Sequence, residues 1–222
     1  MTTAQAFTIF QTAIGPCAIA WASQGVIGVQ LPEPSEPQLR ARMRRRFPTA
    51  IEPSRPFASG VHTAVDTIPS AVRSAIESII ALLDGRLARA DGQPIDLASV
   101  PLDMHGVPEF HQRVYAVART IPPGSTLSYG DIAARLGEPA WPAARDVGQA
   151  LGQNPFPIVV PCHRVVAAGG KLGGFSARGG TTTKRRLLAI ESASSNGSDA
   201  SAGPSAVGSA AAFNIPLFAD LK

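Results

Sequence analysis

The run Pro161-Cys162-His163-Arg164-Val165 places a nucleophile, a base and a fixed positive charge on consecutive residues. Cysteine reacts as its thiolate, so a reactive cysteine needs its pKa brought down from about 8.5. A nearby imidazole and a cation do this, and His163 and Arg164 supply both types. Adjacent side chains seldom point at each other, so a water bridging thiol and imidazole is the expected device. A carboxylate that orients the imidazole would complete the relay. Cys162 therefore reads as an activated thiolate. Cys17, inside an apolar strand-like segment, reads as inert core. With only these two cysteines, four histidines (His62, His105, His111, His163) and no Cys-x-x-Cys pair, neither a zinc site nor a disulfide framework is expected.

The elements around this run follow from periodicity and turn residues. Phe7–Phe10, Cys17–Trp21 and Val26–Leu31 are rich in β-branched and aromatic residues and are separated by Gly15-Pro16 and Gln24-Gly25. They predict a small antiparallel sheet. Arg40, Arg42 and Arg44-Arg45-Arg46 fall in a helical stretch, read as a solvated face rather than a nucleic-acid patch. Ile68–Leu83 has helical apolar spacing, and 91–108 is a Pro/Gly/Asp-rich connection. Beyond it, helices are predicted over Phe110–Thr120, Thr126–Leu136, Ala143–Gly152 and Lys184–Ile190, with the apolar run Pro157–Val160 leading into Cys162. Two short helices joined by a Gly/Pro turn make a helix-turn-helix arrangement. Past Glu191 the composition falls to Ser, Ala, Gly and Asn, which cannot offset the entropy of ordering.

The 222 residues are 45% apolar and 16% charged, with a formal net charge of +4. Residues 107–191 hold ten Lys and Arg against five Asp and Glu, so the excess positive charge lies beside Cys162 and suits a polyanion. No apolar run is long enough to span a membrane, and the first residues do not resemble a secretory leader. A cytoplasmic monomer is expected. The fold expected is α+β: a small N-terminal antiparallel β-sheet with helices over 1–106, then a mainly helical, winged-helix-like domain with a helix-turn-helix over 107–191, and a disordered tail over 192–222.

Val160-Pro161-Cys162-His163-Arg164-Val165-Val166 resembles the active-site signature of the O6-alkylguanine-DNA alkyltransferases, also called methylated-DNA–protein-cysteine S-methyltransferases. The likeness runs from Phe110 to Glu191. It includes a Ser-Tyr opening a helix, Ala-Ala-Arg opening the next, Asn-Pro before the strand, a Gly-Phe-Ser loop and a closing Leu-Leu-Ala-x-Glu. The N-terminal half matches in style only. The turn 137–142 is slightly longer than in some relatives, and the cysteine and histidine set that binds zinc in others is missing.

The resemblance implies DNA repair by direct, irreversible transfer of a methyl or other alkyl group from O6 of guanine to Cys162, without a cofactor or metal. It leaves open whether O4-alkylated thymine is also accepted. His163 would take the thiol proton through a water, Glu191 would orient His163, and Asn154 would brace the turn. Double-stranded DNA would be held through its minor groove by Tyr129, Ala143, Ala144, Arg145, Gly148 and Arg164. Arg145 would fill the gap left by a flipped base. Leu151, Pro157, Val165, Phe175 and Ser176 would line the base pocket. A recognition protein lacking the reactive cysteine, a helix-turn-helix regulator and a cysteine hydrolase are the competing readings. The first fails at position 162, and the second leaves Pro-Cys-His-Arg unexplained. The third lacks an oxyanion hole.

Overall fold

The computed structural model describes residues 5–52, 68–86, 88–92, 95 and 97–196. His62, Phe213–Phe218 and the rest of the expected tail over 197–222 lie outside the described residues.

Strands β1 (Ala6–Phe10), β2 (Cys17–Ala22) and β3 (Gly25–Gln30) form an antiparallel sheet in sequence order, β1 pairing Ala6 to Trp21 and Phe10 to Cys17. Alternation along β2 sends Ala18 and Ala20 to one face and Cys17, Ile19 and Trp21 to the other. The first face packs on Leu39 and Met43 of α1 (Glu36–Arg46), one helical turn apart, and Ser35 caps that helix. The second face packs on α2 (Ser70–Leu83) and on the elements that follow. Both faces are buried, so Cys17 and Ile19 are fully enclosed.

The outer edge of β3 is covered by other segments. Val26 N–H donates to Pro101 O, Asp103 N–H to Val26 O, and Val29 N–H to Pro155 O. The sheet thus touches the chain just ahead of Cys162. One buried cluster runs from Phe10 through Ile76, Val114 and Val147 to Cys162 and Leu187, so the two expected units share a core.

Helices α3 (Glu109–Arg119), α4 (Tyr129–Arg135) and α5 (Ala140–Gly152) follow. The sequence predicted one helix over Thr126–Leu136. Instead, Leu127–Ser128 is a short strand, β4, pairing in parallel with β5 (Val165–Val166), and Ser128 caps α4 in a box with Asp131. Helix α5 starts at Ala140, ahead of the predicted Ala143. Pro142 fits its first turn because N–H groups there need no helical partner. Pro157–Val160 is a tight turn with one isolated bridge rather than a strand. Cys162–Arg164 form a single 3-10 turn. Helix α6 (Thr181–Asn196) starts before Lys184 and continues beyond Glu191, so 192–196 belong to it and not to the expected tail. Among the described residues no helix is long and apolar enough to cross a membrane.

Candidate active site

Three elements converge on Cys162. The 3-10 turn carries it, with Cys162 N–H bonded to Val160 O and Arg164 N–H to Pro161 O. The β4–β5 ladder ties the end of that turn to Ser128 and hence to Tyr129. Helix α6 presents Lys184, Leu187, Leu188 and Glu191 on one buried face at helical spacing.

His163 Nε2 lies 2.9 Å from Glu191 Oε1, and both side chains are almost wholly buried. Arg164 donates from Nε to Glu191 Oε2 at 3.0 Å and from Nη2 to Oε1 at 2.8 Å, while its Nη1 donates to Ile121 O at 2.6 Å. Burial works against a charge on Glu191, yet His163 and Arg164 together hold its carboxyl down at about 2. Burial also holds the His163 imidazole below its usual value, with Glu191 opposing. Glu191 is therefore an acceptor and His163 a neutral ring that donates from Nε2. Nδ1 is left as the basic nitrogen, buried and with no protein partner among the described residues.

The expected thiolate is not the resting form. Burial raises the Cys162 pKa, and Asn154 and Lys184 pull it down only in part, so sulfur holds its proton until a base removes it. Cys17, core as predicted, is pushed up to about 12 by burial.

Asn154 bonds across the turn: Nδ2 donates to Val160 O and Oδ1 accepts Phe156 N–H, each at 2.9 Å. Within that turn Ile158 takes φ of 75°, a left-handed conformation that a β-branched residue rarely adopts.

Arg164 requires correction. Expected at the DNA surface, it is 5% exposed and its guanidinium is engaged by Glu191 and Ile121 inside the protein. Ala143 is also corrected: it is buried in the core, which leaves Ala144 and Gly148 half-buried and Arg145 exposed on α5. Tyr129 is half-buried, and its ring lies beside Gly148 and Gly173. Leu151 and Val165 share the buried cluster of Cys162, Phe175 packs against it, Pro157 is half-buried, and Ser176 is exposed. Surface cavities of about 330 and 480 Å³ open instead beside Glu33 and Arg178, and Cys162 lines neither.

Sequence reasoning missed Lys184, which is fully buried with Nζ 2.6 Å from Val165 O and 5.9 Å from the centre of the Tyr129 ring. The available signal was its phase: seven residues before Glu191, with Leu187 and Leu188 between, it falls on the same helical face. Among the described residues no cluster of three or more potential metal ligands forms.

The profile of the 6-O-methylguanine DNA methyltransferase DNA-binding domain matches residues 109–193. A methylated-DNA–protein-cysteine methyltransferase of Mycobacterium bovis is 42% identical over 147 residues, covering 66% of this chain and 77% of that one. This chain belongs to the methylated-DNA–protein-cysteine methyltransferase family. A member from Methanothermobacter thermautotrophicus is 40% identical over 129 residues, 58% of this chain and 66% of that protein. The crystal structure of Mycobacterium tuberculosis OGT in complex with DNA superposes with a TM-score of 0.59 at 32% identity, covering 85% of this chain and 93% of that one. The shared α+β architecture spans both halves of the methyltransferase chain, including the N-terminal half that the sequence motifs matched only in style.

Proposed function

We propose that the protein repairs DNA by moving an alkyl group from O6 of guanine to Cys162 in one displacement. The observation that carries this is the buried His163–Glu191 pair, which leaves Nδ1 of a neutral imidazole as the free base beside the reactive position. His163 takes the thiol proton through a water, sulfur attacks the alkyl carbon, and the carbon–oxygen bond breaks. Guanine recovers its carbonyl and gains one proton in place of the one lost from sulfur, so no cofactor is required. The thioether is stable and the protein acts once.

A guanine stacked in duplex DNA hides its O6, so the nucleotide must flip out. Helix α5 offers Arg145 in solvent with the small Ala144 and Gly148 on neighbouring turns, which suits close approach in the minor groove and a cation filling the emptied stack. Tyr129 stands beside this helix and crowds the phosphate of the flipped nucleotide. Leu151, Pro157, Val165, Phe175 and Ser176 receive the base once the groups over Cys162 part. Arg40, Arg42 and Arg44 of α1 are not needed for this DNA contact: Arg40 and Arg44 pair with Glu52, and Arg42 pairs with Glu33.

The test is to incubate the protein with duplex DNA containing O6-methylguanine and weigh the protein and its peptides. One methyl group on the Cys162 peptide, lost in Cys162→Ser while DNA binding persists, is expected. Tight DNA binding with no mass change would favour a recognition protein instead.

A further inference from the structure

The arginine run of α1 ends in a residue unlike its neighbours. Arg40, Arg42 and Arg44 reach carboxylates, whereas Arg46 turns inward, half-buried. It donates from Nη1 to Val29 O at 3.1 Å and from Nη2 to Pro155 O at 2.9 Å, with its guanidinium 4.9 Å from the centre of the Phe47 ring. Those hydrogen bonds go to carbonyls and not to a carboxylate. Withdrawing a guanidinium from water without a counter-ion is costly, so its place calls for a reason.

Its partner supplies one. Pro155 has no N–H, so its carbonyl is the only backbone group by which it can be hydrogen-bonded. Two donors converge on that oxygen, Arg46 Nη2 and the Val29 N–H of β3, both at 2.9 Å. Pro155 opens the turn that Asn154 braces from within and that contains the strained Ile158 and the pocket residue Pro157. A strained backbone persists only where its surroundings over-determine it. Asn154 holds the turn from the side of Cys162, and Arg46 holds it from the side of the sheet. Room for the guanidinium depends on Gly28, where a Cβ would stand 2.9 Å from Arg46 Nη2 and 2.6 Å from Phe47 Cζ.

We infer that Arg46 is a positioning residue for alkyl transfer: by clamping the Pro155 carbonyl it fixes the turn 154–160 and, through Asn154, the Cys162 thiol. The assignment rests on the alkyl-transfer reading of Cys162. It connects the N-terminal half to the chemistry through one side chain.

The experiment is single-turnover methyl transfer from saturating duplex O6-methylguanine, which yields two separate quantities. The amplitude counts folded, reactive protein, and the rate constant reports the geometry of the site. Arg46→Met is expected to lower the rate constant about tenfold, the scale of a sub-ångström misplacement, and Arg46→Lys, with one donor retained, is expected to recover most of it. A wild-type rate constant in Arg46→Met, whatever its amplitude or melting temperature, would overturn the assignment, as would Arg46→Lys reacting as slowly as Arg46→Met. If Arg46→Met does not fold, Gly28→Ala decides, since it displaces the guanidinium without deleting it. Slower transfer supports the clamp, and an unchanged rate constant refutes it. Wild-type protein that transfers no methyl group would instead sink the alkyl-transfer reading itself.

Discussion

Replacing Arg164 with methionine separates two roles that its place in the sequence cannot. The side chain is 6% exposed, and Glu191 beneath it is 2% exposed. Methionine keeps much of the volume but removes the bonds to both Glu191 oxygens and to Ile121 O. Glu191 would then be a buried carboxylate with His163 as its main remaining partner, joined by a long contact at 3.4 Å from Gly124 N–H. Breaking a buried ion pair by removing one member costs about 3–5 kcal/mol. For a protein of this size each kcal/mol moves the melting temperature by roughly 2–4 °C, so a fall of about 6–20 °C is expected.

The chemistry should move as well. Without Arg164, which opposes protonation of the ring, the charge of Glu191 raises the His163 pKa, so at neutral pH more of the ring carries a proton and cannot accept one from Cys162. Single-turnover methyl transfer, measured on the fraction that remains folded, should fall at neutral pH and recover as pH rises. DNA affinity should stay near the wild-type value with the same salt dependence. If Arg164 instead contacted a phosphate, melting would barely change, binding would weaken, and the slope of log affinity against log salt would lose about one unit. That pattern would refute the buried-brace reading.

Arg145→Ala should slow repair of duplex DNA on the order of tenfold or more, because extruding a base costs a few kcal/mol, and should hardly affect reaction with a free O6-alkylguanine base. Equal losses on both would rule out a role in flipping. Asn154→Ala removes two hydrogen bonds from a turn with a strained residue, so urea denaturation should show a loss of about 1–3 kcal/mol together with slower transfer. Wild-type values for both would show that Asn154 is not the brace. Iodoacetamide should label Cys162 more slowly than a free thiol at pH 7, with the rate still rising above pH 8.5 or so, because burial raises the thiol pKa. A labelling rate already level near pH 6 would mean a resting thiolate.

Much of this arrangement was legible in the residues. Gly15-Pro16 and Gln24-Gly25 marked the three strands to within a residue or two, since alternating apolar positions leave few other registers. Pro-Cys-His-Arg marked the run to look at, and Glu191, named from the sequence beside it, lies 2.9 Å from His163. What stayed hidden depends on tertiary burial. Arg164 in a basic half of the chain reads as a surface cation until the carboxylate across from it is known. Lys184 reads as one more surface lysine unless its phase with Leu187, Leu188 and Glu191 is weighed, and its acceptor, Val165 O, is brought to it only by the fold. Pro139 and Pro142 read as a loop, although a helix accepts proline in its first turn. The segment 192–196 reads as tail by composition, but extending an existing helix through Ser and Ala costs little once α6 has been nucleated.

The buried charges explain why such a cysteine can be both quiet and ready. At rest the site holds Arg164 and Lys184 as cations, Glu191 as an anion, and a neutral thiol and imidazole, leaving one positive charge in excess. Arg164 is neutralised directly by Glu191, so the excess belongs to Lys184. Burial lowers the Lys184 pKa, a thiolate at Cys162 opposes that shift, and the lysine charge in turn stabilises the thiolate. That attraction is absent while sulfur keeps its proton and would grow as the proton passes to His163 in the proposed step. It is therefore exerted where negative charge develops, which is the condition for lowering a barrier rather than merely stabilising the resting state. Once the thioether forms, sulfur can no longer become an anion and Lys184 has nothing to stabilise. Reversal would need another nucleophile at the alkyl carbon, and the Lys184 amine and the Glu191 carboxylate are already engaged, the first by carbonyls and the second by Arg164 and His163. In the proposed transfer Lys184 thus assists the forward step and has no part in a return.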